Sequence, residues 1–184
     1  KAGVTFVLDR AGVTGDDGPS HNGMWDLALT GIVPTLHVAA PRDGERVKET
    51  LREALDISDA PSLIRFPKGA VNADIPAFER RDGIDVLYRG ESADVLLISI
   101  GAFAAIAVEA AAQAYREGVG VTVIDPRWVK PLPKSLVTMA QRYKNVVVLE
   151  DGIKHGGIAS TISELFRDAK LNVPVHSIGL PLTF

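Results

Sequence analysis

Three side chains that could do chemistry follow the first apolar segment of the chain. Arg10, Asp17 and His21 lie within one glycine-rich loop directly after residues 4–8. A guanidinium offers a fork of donors to an anionic group, and an imidazole can transfer protons near neutral pH. This concentration of charge predicts a site for an anionic substrate.

A structural interpretation of the same loop stays open. Arg10 could pair with Asp9 or Asp17 on the surface, and residues 16–19 have the composition of an ordinary turn. His21 could simply begin a helix. The three side chains together, in one short loop, favour the functional interpretation.

Arg65 repeats this arrangement at the end of another apolar segment, residues 62–66. Loops at the carboxyl ends of parallel strands form the sites of open α/β sheets. We therefore expect Arg10 and Arg65 to converge on one phosphate. Lys68 could add a point charge there, although a solvent-exposed position is the simpler expectation for it.

A second candidate loop covers residues 150–157 and carries Glu150, Asp151 and His155 among glycines. The start of the following helix could receive an anion. A tight turn between strand and helix, with His155 exposed, is the favoured alternative. No metal site is expected, since the chain has no cysteine and no common zinc or nucleotide-binding motif.

Apolar runs and helical periodicity alternate along the chain. This order predicts an α/β fold with two mostly parallel open-sheet α/β units. The predicted strands cover residues 4–8, 36–40, 62–66, 95–100, 121–125, 146–150 and 175–178. The predicted helices cover residues 22–29, 44–55, 104–117, 134–142 and 158–169.

A polar stretch between residues 69 and 93 breaks both periodicities. We place one unit at residues 1–80, a linker at 81–92 and a second unit at 93–184. Both ends of the sequence look cut, so we expect a piece of a larger protein.

Composition excludes several classes of protein. A net charge of −3 without clustered lysine and arginine argues against nucleic-acid binding. No apolar run approaches the roughly 20 residues that span a bilayer. We expect a globular cytoplasmic protein with no membrane partner.

Seven segments together resemble the 1-deoxy-D-xylulose-5-phosphate synthase family, of actinobacterial type. They occur in the family's order over essentially the whole chain. They are residues 8–12, 17–23, 39–43, 65–69, 123–129, 149–152 and 179–181.

The resemblance implies part of a transketolase-like thiamine diphosphate enzyme, which decarboxylates pyruvate and joins the two-carbon unit to D-glyceraldehyde 3-phosphate. Arg10 and Arg65 would bind the phosphate of the aldehyde, with Asp17 beside them. His21 would be catalytic and help in protonation or orientation. The resemblance also implies a homodimer that serves isoprenoid, thiamine and pyridoxal synthesis.

Within this resemblance, the chain matches the latter part of the pyrimidine-binding domain and most of the C-terminal domain. The residues that bind thiamine diphosphate and Mg²⁺, and the catalytic glutamate, would lie upstream. We therefore expect this fragment alone to be inactive. Two alternatives stay open: another transketolase-like enzyme, such as transketolase or a 2-oxo acid dehydrogenase β subunit, and a non-catalytic dimerisation or regulatory module.

Overall fold

The computed structural model describes residues 2–71 and 73–183. Lys1, Asn72 and Phe184 fall inside the predicted units and lie outside the described residues. The strands are β1 (Thr5–Leu8), β2 (His37–Ala39), β3 (Ser62–Arg65), β4 (Glu79–Arg81), β5 (Ile84–Tyr88), β6 (Val95–Ile100), β7 (Val121–Asp125), β8 (Trp128–Lys130), β9 (Asn145–Ile153) and β10 (Val175–Leu180). The helices are α1 (Asp26–Gly31), α2 (Gly44–Leu55), α3 (Ala104–Arg116), α4 (Ser135–Ala140) and α5 (Ile158–Asp168).

The first sheet has four strands in the order β1-β3-β2-β8. Strands β1 and β2 run parallel to β3, whereas β8 pairs antiparallel with β2. The register places Leu8 opposite Arg65, so β1 and β3 end side by side. The loops that follow these two strands therefore leave the same edge of the sheet.

The second sheet has six strands in the order β10-β9-β6-β7-β5-β4. Four strands are parallel, and β5 and β4 are added antiparallel at one end. The expected fold class, two mostly parallel open sheets in an α/β chain, is confirmed. No helix among residues 2–71 and 73–183 has the length and apolar character needed to cross a membrane.

The largely buried strand β5 lies within residues 81–92, the segment predicted as a linker. Asp85, in this strand, has charged partners. Asp85 accepts hydrogen bonds from Arg80 and from the buried Arg42 of the first unit. The predicted boundaries of the two units otherwise stay predictions.

The two sheets contact each other directly, in addition to the chain segment that connects them. Strand β8 follows the second-sheet strand β7 yet completes the first sheet by pairing with β2. Arg42 Nη1 also lies 2.7 Å from Asp85 Oδ2 and 2.7 Å from Asp125 Oδ2, all three side chains being buried. One apolar core contains Leu27 and Val38 together with Phe166. The loop after β1 thus leads into α1, whose Leu27 shares a core with residues packed on the second sheet.

Candidate active site

The loop after β1 is ordered by its own hydrogen bonds. It contains two short 3₁₀ helices, Gly15–Asp17 and Pro19–His21. Asn22 Oδ1 accepts from the Thr14 backbone N–H at 3.0 Å and from its hydroxyl at 3.2 Å. Gly18 has a φ of 78° between the two 3₁₀ helices, a conformation that glycine adopts without strain. The sequence therefore folds into a defined platform for its charged side chains.

Two cations from the loops that follow β1 and β3 meet at Asp17. Arg10 Nη1 lies 2.8 Å from Asp17 Oδ2, and Lys68 Nζ lies 2.5 Å from Asp17 Oδ1. The Arg10 and Lys68 side chains remain 45% and 46% exposed, against 19% for Asp17. The hydrogen bond from Lys68, followed by the charge of Arg10, holds the pKa of the Asp17 carboxyl below its usual range. Both cations can therefore reach a ligand in solvent.

His21 ends the second 3₁₀ helix and is exposed. Its Nδ1 lies 3.1 Å from the Ser20 hydroxyl oxygen. The charge of His21 adds a small contribution to the lowered pKa of the Asp17 carboxyl. The structure thus pairs Arg10 with Asp17 and places His21 at the end of the next 3₁₀ helix of the same loop.

Arg65 occupies a different environment. Its side chain is 1% exposed, with Nε 2.8 Å from Asp26 Oδ2 and Nη1 2.5 Å from Asp151 Oδ1. Its Nη2 is buried and has no hydrogen-bond partner among residues 2–71 and 73–183. The carboxylates that pair with Arg65 differ from the one that pairs with Arg10. The cation that shares Asp17 with Arg10 is Lys68.

Burial has the largest effect on the pKa values in the inner cluster, which consists of Arg65, Asp26 and Asp151. Desolvation raises the pKa of the Asp26 carboxyl, and the attraction of Arg65 only partly offsets it. For Arg65 the balance is reversed, because Asp151 and Asp26 together overcome desolvation and raise its pKa. The cluster places one guanidinium between two carboxylates below the exposed platform.

Of the residues in these two clusters, Asp26 is the one that the sequence does not single out. Lys68, which the sequence places more simply in solvent, follows β3 in the loop that leaves the same sheet edge as Arg10. Asp151 belongs to the second candidate loop, and its pairing with Arg65 joins segments that are distant in sequence. Their role depends on how the two sheets pack together.

The loop at residues 150–157 has an internal partner for its helix. Glu150 Oε2 accepts from the Ile158 N–H at 2.9 Å, and Glu150 Oε1 accepts from the Ala159 N–H at 3.0 Å. Burial raises the pKa of this carboxyl. The start of α5 is therefore capped by the protein itself, and His155 is exposed, as the structural alternative expected.

The described residues offer no built site for a metal-bound cofactor. Residues 2–71 and 73–183 contain no group of three or more histidine, aspartate or glutamate side chains that could hold a metal ion. The candidate site combines the exposed cations Arg10 and Lys68 with the imidazole of His21, groups that can bind an anion and transfer a proton.

Comparison with known proteins places both sheets in one family. The profile of the transketolase pyrimidine-binding domain matches residues 1–73, and that of the transketolase C-terminal domain matches residues 85–183. A solved structure described as a split-gene transketolase, an inactive beta4 tetramer, superposes with a TM-score of 0.83 at 27% identity. The match covers 98% of this chain and 58% of that one.

Curated relatives are considerably closer in sequence. The 1-deoxy-D-xylulose-5-phosphate synthase of Mycolicibacterium vanbaalenii is 55% identical over 187 residues, which cover all of this chain and 29% of the relative. The synthase of the same name from Mycobacteroides abscessus is 52% identical over 184 residues, covering 98% of this chain and 29% of the relative. The chain spans less than a third of the length of these relatives. It belongs to the transketolase family and comprises pyrimidine-binding and C-terminal domain sequence.

Proposed function

We propose that this chain is part of a 1-deoxy-D-xylulose-5-phosphate synthase and supplies the half of its active site that binds D-glyceraldehyde 3-phosphate. One observation carries the proposal: Arg10 and Lys68, from the loops that follow two neighbouring parallel strands, meet at Asp17 in the loop that also carries His21. The high identity to relatives of that name supports the same activity.

The phosphate of the aldehyde is the group that these cations fit. A phosphate oxygen can accept from the planar fork of Arg10, while the ammonium of Lys68 adds a mobile point charge. Asp17 keeps the two cations at one place on the loop through its two carboxylate oxygens. We therefore assign Arg10 and Lys68 to the phosphate and Asp17 to their orientation.

Arg65 was expected to bind the phosphate as well. With Asp26 and Asp151 on two of its nitrogens and almost no exposed surface, it fits a supporting role better. We propose that Arg65 acts through the loop and not on the substrate. Both N–H groups of its Nη2 are without a partner in the described part of the chain.

His21 has the chemistry that the joining step requires. When a carbon nucleophile adds to the aldehyde, its oxygen gains negative charge and must receive a proton. An imidazole four positions from Asp17, on the same platform, can donate that proton or orient the aldehyde. We therefore propose His21 as the acid for the acceptor aldehyde.

The cofactor of the proposed reaction is thiamine diphosphate with Mg²⁺. When bound, it supplies the carbanion chemistry that removes carbon dioxide from pyruvate. The described residues do not form a site for its metal, and we assign its binding to protein outside this chain. We further propose a cytoplasmic homodimer whose product serves isoprenoid, thiamine and pyridoxal synthesis.

An assay of the full-length protein tests this function. The protein, loaded with thiamine diphosphate and Mg²⁺, should release carbon dioxide from pyruvate and form deoxyxylulose phosphate when glyceraldehyde 3-phosphate is added. A parallel reaction with a phosphorylated ketose donor in place of pyruvate tests transketolase activity. Product from the ketose alone would favour transketolase, and no product from either would favour a non-catalytic module.

A further inference from the structure

We propose that the C-terminal domain positions the substrate loop through Asp151, which makes Asp151 a positioning residue for the phosphorylated aldehyde. This inference rests on the proposed function, since it concerns the loop that carries Arg10, Asp17 and His21. Asp151 lies near the end of β9, in the second sheet, whereas the loop belongs to the first.

The two carboxylate oxygens of Asp151 face two different parts of the first domain. Oδ1 lies 2.5 Å from Arg65 Nη1. Oδ2 lies under the start of the loop, where a Cβ added to Gly12 would come within 3.1 Å of it. Gly12 also has a φ of 70°, so both the space and the backbone conformation call for glycine. Asp151 therefore supports the loop two residues after Arg10.

The end of the loop is held by the same strand. The Ile153 backbone N–H donates to the Met24 carbonyl at 2.9 Å. A Cβ added to Gly152 would lie 3.1 Å from Leu27 Cδ1, which shows how closely β9 approaches α1. Three successive residues of β9 thus lie against both the beginning and the end of the loop.

Arg65 joins these contacts into one cluster. It binds Asp151 with Nη1 and Asp26, the first residue of α1, with Nε. The three side chains are 1–8% exposed, so water competes little for their charges. Loss of the Asp151 charge would leave Arg65 with one carboxylate and would remove its ion pair with the second sheet.

The consequence for function follows from geometry. Two cations and an imidazole must meet one small substrate, and a displacement of about 1 Å can cost about a hundredfold in rate. Asp151 itself is buried and does not reach the exposed platform. Its effect on the reaction must therefore pass through the loop.

The test uses the Asp151→Asn variant of the full-length holoenzyme, which keeps the shape of the side chain and removes its charge. Asp125→Asn is the matched control. Asp125 is also a buried partner of an arginine from the first domain, Arg42, at 2.7 Å, but it belongs to a different cluster. Both variants lose one buried ion pair between the domains.

Two readouts are measured: hydrogen exchange of peptides covering residues 11–24, and KM for glyceraldehyde 3-phosphate and for pyruvate. Asp151→Asn should increase exchange in the loop by about tenfold and raise KM for the aldehyde by about tenfold, with KM for pyruvate little changed. Asp125→Asn should leave both loop exchange and the ratio of the two KM values as in wild type.

A second variant covers the case in which Asp151→Asn does not fold. Gly12→Ala disturbs the same contact from the loop side and should raise KM for the aldehyde in the same direction. Equal loop exchange in the Asp151 and Asp125 variants would overturn the inference. If the wild-type enzyme does not use the phosphorylated aldehyde, the proposed function fails, while loop exchange still reports whether Asp151 holds the loop.

Discussion

Lys68 and Asp17 are in contact, with Nζ 2.5 Å from Oδ1, although 51 positions of sequence separate them. Strands β1 and β3 are parallel neighbours, so their following loops meet. Arg10 approaches the other oxygen of the same carboxylate. The contacts among these three charged side chains locate the candidate site more closely than the predicted pair of arginines does.

The Lys68→Met variant should weaken binding of the phosphorylated aldehyde. A hydrogen bond to a charged group contributes about 1.5–3 kcal/mol, which corresponds to a rise in KM of about 10- to 100-fold. KM for pyruvate should stay the same. Lys48→Met is the control, since Lys48 is also an exposed lysine paired with an acid, Glu45, on α2. A similar rise in KM in both variants would argue against a specific phosphate contact.

His21→Ala should lower kcat far more than it raises KM for the aldehyde. Loss of a positioned acid costs about 100-fold in rate. His155→Ala provides the control, because His155 is an exposed loop histidine in the second domain. Steady-state kinetics of both variants measure kcat and KM for the aldehyde. An unchanged kcat in His21→Ala would remove His21 from the proton-transfer step.

Arg65→Met should destabilise the protein much more than Arg10→Met. Removing one partner of a buried ion pair costs about 3–5 kcal/mol, and here two buried carboxylates would lose their guanidinium. An exposed pair such as Arg10 with Asp17 contributes at most about 1 kcal/mol. Thermal unfolding of the two full-length variants measures the difference. Equal unfolding midpoints would contradict the supporting role of Arg65.

We expect Asp94 to make a pH-dependent contribution to the stability of the fold. Its carboxylate lies 2.7 Å from Lys144 Nζ, and it accepts from the Ser92 hydroxyl and the Gly120 N–H. These contacts, that of Lys144 first, hold the pKa of Asp94 well below its ordinary value of 3.8. A folded-state pKa below the unfolded value adds stability above pH 3.8, which is lost as the pH falls through the folded pKa.

The unfolding midpoints of wild type and Asp94→Asn should therefore differ most near neutral pH. The difference should shrink as the pH is lowered below about 4. Asp168→Asn, at the exposed end of α5, serves as the control. A difference that stays constant, or grows, on acidification would contradict this assignment.

Much of the fold could be predicted because its signals are local. The apolar segments that become β6 and β7 are nearly continuous, as parallel strands covered on both faces require. The charged residues around β5 make its segment look like a linker. Its pairing with β7 and the hydrogen bond from Arg42 to Asp85 come from distant parts of the chain.

The site shows the same division between local and distant signals. Arg10, Asp17 and His21 share one loop, so their proximity could be inferred from sequence alone. The burial of Arg65 and the exposure of Lys68 depend on which face of β3 packs against Asp26 and Asp151. That choice is made by the packing of the second sheet on the first, which local sequence patterns do not specify.

The preference for a phosphorylated aldehyde is the most direct test of phosphate binding by Arg10 and Lys68. The measurement is the ratio of kcat/KM for glyceraldehyde 3-phosphate to kcat/KM for glyceraldehyde, in the wild-type holoenzyme and in the double variant R10A/K68A. Loss of two charge-assisted hydrogen bonds should reduce this ratio by about 100-fold or more. We expect this decrease while activity toward unphosphorylated glyceraldehyde is retained. An unchanged ratio would rule out phosphate binding by Arg10 and Lys68.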